Sequence, residues 1–297
     1  MASFIISTDN SADFFKSDME KKGIYCVPLK RILENQTFTE IYDSDEEYDA
    51  FYKELDQGHL STTSPVTPEQ FEKHFAKILA AHKTGDIIHV PLSSNMSECY
   101  KNAVETAAKM NPTLKNRKIY VFDSLTCTSG INMLLDRLME MRETTPAERA
   151  LIILEGLRDT QQLFFIVDDL AHLVRGGRLK ASKAFIGSLM GIKPILIMNR
   201  KGWPTVETSV KGSRKALKFL VKQTEKRAEN KKETYDGKPI YLMRTNDTEQ
   251  YTELKKLVEK KYPKAIIKEN KIGPIIGTHT GSGTVGILFQ GKARLDV

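Results

Sequence analysis

Short apolar runs rich in β-branched residues recur along the first half of the chain, at Phe4–Ser7, Ile87–Leu92, Lys118–Phe122 and Leu163–Val167, with segments of helical length between them. Runs of this length and composition predict strands, and the segments between them predict helices. Three of the expected helix starts are marked by a capping pair: Ser44 with Glu47, Thr67-Pro68 with Gln70, and Thr145-Pro146 with Glu148. At that spacing the two side chains satisfy backbone N–H groups that the first helical turn leaves open. The alternation predicts strand-helix units on a mainly parallel sheet.

The pattern changes at Ile192–Met198, an apolar run followed by Arg200-Lys201-Gly202 and a second run at Val206–Ser209, which together predict an antiparallel hairpin. A long basic helix is expected over about 212–230, then a strand at Pro239–Arg244, a helix over Asp247–Lys261, a strand near Ile266–Glu269, a glycine-rich turn, and a closing strand at Thr284–Gln290. The expected fold class is therefore α/β in two domains. Residues 1–160 carry a mainly parallel sheet flanked by helices, and residues 161–297 an α/β domain with a mixed sheet. In open α/β folds a ligand is expected in the crevice at the carboxyl ends of the strands, here between the two domains.

The chain has 297 residues, enough for two such cores, and its 40% hydrophobic and 28% charged content is ordinary for a globular protein. No apolar run approaches the roughly 20 residues that span a bilayer. Met1–Ser7 has no basic leader and reads as a first strand, so a cytoplasmic location is expected. Three cysteines, Cys26, Cys99 and Cys127, lack metal-like spacing and are expected as reduced thiols. The net charge of +7 is concentrated between Lys211 and Lys271, where 18 Lys and Arg face 9 Asp and Glu. A run such as Lys222, Lys226, Arg227, Lys231 and Lys232 is either a solvated helix face or a surface for an anionic lipid or an acidic partner. No motif for nucleic acid accompanies these lysines.

Candidate chemistry gathers where predicted strands end. Asp9-Asn10-Ser11, Ser93-Ser94-Asn95 and Asp123-Ser124 each follow such a run. A helix beginning around Asn95–Ser97 would favour an anion beside the serines, although serines also serve as plain N-caps. Leu60-Ser61-Thr62-Thr63-Ser64-Pro65 supplies hydroxyls in what reads as a loop. In His172-Leu173-Val174-Arg175-Gly176-Gly177-Arg178-Leu179 paired glycines allow close backbone approach while two arginines stand ready for an anion; a plain hinge is the alternative. Gly277-Thr278-His279-Thr280-Gly281-Ser282-Gly283 sets one histidine among small polar residues, suited to an anion; a glycine-rich turn without a ligand is the alternative. The other histidines, His59, His74, His82, His89 and His172, read as surface or structural. Signatures of the common hydrolase, phosphate-loop, zinc-protease and dinucleotide sites are missing. A hydrolase or phosphotransfer enzyme using Ser94 and His279, with Asp9 or Asp123, stays open as an alternative.

Six segments in this order resemble the DegV family over nearly the whole chain. They are Thr8-Asp9-Asn10-Ser11-Ala12-Asp13, Thr63-Ser64, Pro91-Leu92-Ser93-Ser94, Phe122-Asp123-Ser124, Gly176-Gly177-Arg178-Leu179 with Ile192-Lys193-Pro194-Ile195, and Gly277-Thr278-His279-Thr280-Gly281. The resemblance implies a two-lobed α/β protein that holds a long-chain fatty acid of the palmitate, stearate or oleate type, with no other cofactor or metal. It implies a carrier and not an enzyme, serving as the lipid-presenting subunit of a bacterial ATP-dependent fatty acid kinase. Thr63 and Ser94 are implied as hydroxyls that bind the carboxylate and His279 as a further polar contact, with Ser64, Ser93 and Asn95 as neighbours in the same set. Arg178 matches the family's Gly-Gly-Arg arginine, which either orders its loop or faces the kinase. The chain departs from its relatives at Ser97-Glu98-Cys99-Tyr100, where Glu98 either alters acyl preference or points to solvent, at Pro65-Val66, and at Ser282. A lipid sensor acting on another protein partner is a third reading.

Overall fold

The computed structural model of the chain describes residues 4–34, 36–39, 41–180, 191–230 and 233–296. Lys231 and Lys232 of the basic run, and residues 1–3 ahead of the first strand, lie outside the described residues. The chain divides into two compact units, residues 1–47 with 61–158, and residues 48–60 with 159–297.

The first unit runs β1 (Phe4–Asp9), α1 (Lys16–Lys22), β2 (Ile24–Val27), β3 (Lys30–Leu33) and β4 (Gln36–Phe38), then leaves through α2 (Asp45–Asp56). It resumes with β5 (Ser61–Ser64), α3 (Pro68–Ala81), β6 (Asp86–Val90), α4 (Cys99–Met110), β7 (Ile119–Val121), α5 (Ser129–Met141) and α6 (Ala147–Thr160). The sheet predicted from the apolar runs forms in the order β2-β1-β6-β7, all parallel. Every residue of β1 is buried, as a central strand covered on both faces requires. One face is apolar: Phe4, Ile6, Ile88 and Val90 pack on Ile131, Leu134, Leu138 and Leu154 of α5 and α6.

Alternation along the strands sends Ser7 and His89 to the opposite face, under α3. There Ser7 Oγ lies 2.7 Å from His74 Nε2 and 2.8 Å from His89 Nδ1, and the Phe71 and Phe75 rings stand edge-on to His89. A polar trio in this apolar setting persists because its members hydrogen-bond each other.

A second, three-stranded antiparallel sheet, β4-β3-β5, was not expected from the pattern. It corrects the reading of Leu60–Pro65 as a loop, since Ser61–Ser64 is a strand paired to β3 in full register. The β-branched Thr62 and Thr63 suit a pleated, half-buried strand, but four polar residues carry no apolar periodicity to announce one. The expected caps at Ser44 and Thr67 both form, each with its acidic or amide partner three residues on returning the bond.

The second unit contains β8 (Gln161–Ile166), α7 (Ala171–Arg175), β9 (Ile192–Met198), β10 (Pro204–Lys211), α8 (Ser213–Lys226), β11 (Pro239–Arg244), α9 (Glu249–Lys261), β12 (Ile266–Lys271), α10 (Pro274–Thr280) and β13 (Val285–Gln290). Its mixed sheet has the order β10-β9-β8-β13-β11-β12, in which only β11 and β12 pair in parallel. The β9–β10 hairpin and the following helix match the expectation, with α8 ending four residues earlier than read. Phe164, Ile195, Leu217, Leu220, Leu242, Leu254, Ile287 and Phe289 are central to the core beneath α8 and α9.

From Tyr48 onward α2 lies with this second unit. Its apolar stripe, Tyr48, Phe51, Tyr52 and Leu55, follows helical spacing and is buried. Tyr52 Oη donates to the Ile272 carbonyl at 2.8 Å, and the buried Lys271 ammonium meets Asp49 at 2.7 Å. Gly277 of α10 faces this stripe, and a Cβ there would overlap Tyr52 Oη and stand 2.8 Å from Phe51 Cε1. Because Tyr52 is fastened by its hydroxyl, Gly277→Ala is expected to destabilise the protein by about 1–3 kcal/mol, the range for overpacking a filled site. Urea unfolding reads this directly, and a loss within the roughly 0.5 kcal/mol of a neutral surface change would show that α2 shifts freely.

Candidate functional site

In the first unit the strand order reverses between β1 and β6, since the chain runs outward from β1 to β2 and from β6 to β7. The carboxyl ends at such a reversal are where open α/β sheets leave a crevice. Asp9 closes β1 there. Its Oδ2 accepts from the Leu92 N–H at 2.9 Å and its Oδ1 from the Ser11 N–H at 3.0 Å and from the Ser11 hydroxyl. Burial raises the Asp9 pKa, and these donors oppose that rise. The carboxylate thus ties the end of β1 to the segment that carries the two serines. The Ser11 carbonyl accepts from the N–H of Thr128, a β-branched residue held at φ +47°, where strain persists only if the surroundings enforce it.

Ser93 is fully buried and turns the chain: its N–H donates to the Thr126 carbonyl, its carbonyl accepts from Met96 and Ser97, and its hydroxyl accepts from the Asn95 N–H. Ser94 is half-buried, with its N–H given to Asp123 Oδ1 at 3.1 Å. The Ser94 hydroxyl makes no hydrogen bond to a described residue, so a fixed main chain presents an open donor. Asn95 is exposed. The helix expected from Asn95–Ser97 starts at Cys99 instead, because Ser93 gathers the N–H groups of residues 95–97 into a tight turn. The helix N-terminus is consequently displaced from Ser94. Glu98 points to solvent, 3.4 Å from Lys101.

Thr63 and Ser64, both half-buried, lie on β5, with Thr63 directly opposite Arg31 of β3. The chain after Thr63 is held against the start of α4, where the Val66 N–H reaches Cys99 Sγ at 3.4 Å and Asn102 Nδ2 donates to the Val66 carbonyl at 2.8 Å. Sequence reasoning passed over Arg31, which is 4% exposed with its guanidinium 4.0 Å from the Phe38 ring centre. A lone arginine in a short polar stretch gives no sign of burial until the second sheet is known.

The second unit brings two of the sequence motifs together. His279 lies in the last turn of α10, so the segment read as a glycine-rich turn is helical to Thr280, and the turn proper is Gly281 and Gly283, both at φ +74°. Its imidazole packs on Gly176 of the Gly-Gly-Arg segment. The His172 ring packs on Gly281 and its Nδ1 lies 2.9 Å from Arg175. Arg178 is partly buried and its Nη1 donates to the Gly176 carbonyl at 2.5 Å. Burial, with Arg178 and then His172 nearby, lowers the His279 pKa to about 4, so the ring is neutral at pH 7 and offers a donor without a charge.

The hydrolase alternative needs a carboxylate to orient a histidine. Asp9 and Asp123 instead hold backbone N–H groups and the Ser11 hydroxyl, and neither contacts a histidine among the described residues. The described residues contain no group of three or more His, Cys, Asp or Glu able to hold a metal, and no helix among them is long and apolar enough to cross a membrane.

Comparison with known proteins agrees with the architecture. The family model described as "Uncharacterised protein, DegV family" matches residues 3–292. A DegV domain-containing protein of Listeria innocua is 30% identical, over 97% of this chain and 98% of its own. Among solved structures, DegV, a fatty acid binding protein from Bacillus subtilis, is 26% identical with a TM-score of 0.82, covering 98% of this chain and 100% of that one. A DegV lipid binding protein from Thermotoga maritima is 25% identical with a TM-score of 0.82, covering 99% and 100%. With a family match across both units and a fold shared over almost every residue, the chain belongs to the DegV family.

Proposed function

We propose that this protein carries a long-chain fatty acid, buries the acyl chain, and presents the carboxylate to a separate ATP-dependent fatty acid kinase. The observation that carries the reading is the Ser94 hydroxyl, fixed at the strand reversal by Asp123 and Ser93 yet engaged by no described residue. The fatty-acid and lipid binding of the two similar solved proteins supports it. Thr63, Ser94 and His279 are the proposed contacts of the carboxylate, with Ser64, Ser93 and Asn95 in the same set.

The division of labour follows from magnitudes. Burying about 14 methylenes at roughly 0.8 kcal/mol each offers on the order of 11 kcal/mol before association costs. A buried carboxylate without partners would cost several kcal/mol, so the head-group donors offset desolvation and set position more than they add affinity. Neutral donors suit a carboxylate that is to be phosphorylated elsewhere, because they leave an oxygen accessible. The exposed face of α8, with Lys215, Lys218 and Lys222, is the proposed surface for the kinase or for transient contact with an anionic membrane, and the setting is the cytoplasm.

Extraction of the denatured protein into organic solvent, followed by mass spectrometry, tests the reading. The native chain is expected to release near-stoichiometric fatty acid, and Thr63→Ala, Ser94→Ala and His279→Ala each to bind added oleate about tenfold more weakly, the effect of one lost hydrogen bond. A native chain with no lipid and no uptake of palmitate or oleate would sink the carrier function.

A further inference from the structure

We propose that Gly176 and Arg178 are positioning residues for His279: Gly176 seats the imidazole by having no side chain, and Arg178 fastens the turn that holds the seat. The proposal rests on the reading of His279 as a head-group contact.

The two adjacent glycines are glycine for different reasons. Gly177 has φ +70° with open space where a Cβ would be, so its conformation asks for glycine. Gly176 has φ −71° and ψ −4°, which any residue adopts, so its conformation does not. What Gly176 lacks is room. A Cβ there would overlap His279 Nδ1, stand 3.0 Å from His279 Cε1, and meet the His172 carbonyl at 3.1 Å. The carbonyl is main chain and cannot swing aside, so the imidazole has to yield.

The turn around this seat is fixed from both ends. The Arg178 N–H donates to the Leu173 carbonyl at 2.8 Å, and its guanidinium reaches back to the Gly176 carbonyl. The guanidinium thus helps to fix its own turn, and, after burial, its charge adds to what holds the nearby imidazole in the neutral form.

A size-complementation cycle decides the matter. Gly176→Ala is expected to lower Tm by about 5 °C, the consequence of overpacking in a chain of this size. In the His279→Ala background the same methyl fills the space the ring leaves, and its penalty falls below about 2 °C. Gly176→Ala is also expected to weaken oleate binding about tenfold and to shift the His279 ring signals in a long-range 1H–15N spectrum, whereas Arg178→Gln shifts those signals toward a higher pKa. If Gly176→Ala alone fails to fold, the double variant carries the test, since a double variant as stable as His279→Ala supports the seat. An equal penalty in both backgrounds, or unchanged His279 signals in Gly176→Ala, overturns it. Full oleate binding by His279→Ala would instead remove the head-group reading, while the stability cycle would still report on the seat.

Discussion

Between pH 7.5 and pH 5.0 the first unit is expected to lose about 2 kcal/mol of stability through His74 alone, with His89 acting in the same direction, and the second unit a similar amount through His279. Burial lowers the His74 pKa to about 4, with the Lys77 charge adding to the effect, and it takes the fully buried His89 well below the ordinary value. The folded pKa lies beneath the unfolded value of about 6.5, so at intermediate pH the unfolded chain binds protons that the native chain refuses. Stability from these groups is complete above about pH 6.5 and declines as the pH falls toward 4. Ser7 explains why the native state resists the proton. Its hydroxyl joins both rings inside the Phe71 and Phe75 cage, where one neutral imidazole donates and the other accepts, and a cation would be desolvated beside a second nitrogen. Urea midpoints at the two pH values measure the loss. His74→Gln should flatten the first unit's pH dependence by about 2 kcal/mol, and an unchanged slope in that variant would show that the trio is not its source.

Asp9→Asn is expected to cost about 2–4 kcal/mol, more than its near-identical shape suggests. The carboxylate serves three donors, the Leu92 N–H, the Ser11 N–H and the Ser11 hydroxyl, at full burial. An asparagine has one acceptor oxygen, so whichever way its amide is turned, an NH2 faces an N–H and a buried donor goes unpaired. The damage extends past stability. Leu92 is two residues from Ser94, so releasing its N–H loosens the segment that presents the Ser94 hydroxyl, and retained fatty acid should fall along with Tm. Thermal unfolding with lipid quantitation on the same samples separates the outcomes, and a variant within about 0.5 kcal/mol of the native chain would mean that the Asp9 tether is dispensable.

The sequence made the sheets legible where apolar continuity signals a covered strand. The runs at β1, β6, β8, β9 and β11 could be read to within about two residues, because each holds an unbroken buried apolar stretch, Phe4–Ile6, Ile87–Ile88, Leu163–Ile166, Ile195–Met198 and Ile240–Met243. The antiparallel β3–β5 layer was not legible. Its strands are three or four residues long and half-exposed, and Ser61–Ser64 has no apolar side chain at all. The same limit governed the site. Ser94, Thr63 and His279 stood out through small polar composition and a family resemblance, whereas the tether role of Asp9 and the burial of Arg31 depend on partners 83 and 32 residues away that no local window contains. Gly176 could be noticed as a glycine, but why it is one could not be read, since the reason is an imidazole about a hundred residues downstream in the chain.

The placement of α2 also bears on the order in which a growing chain can mature. Tyr52 finds its carbonyl 220 residues later, at Ile272. During synthesis the stripe of Tyr48, Phe51, Tyr52 and Leu55 emerges early and has nowhere to go until α10 and the end of β12 have followed. The β1–β7 sheet can close from neighbours already translated, but this helix waits, apolar side outward, until the residues of α10 have been made.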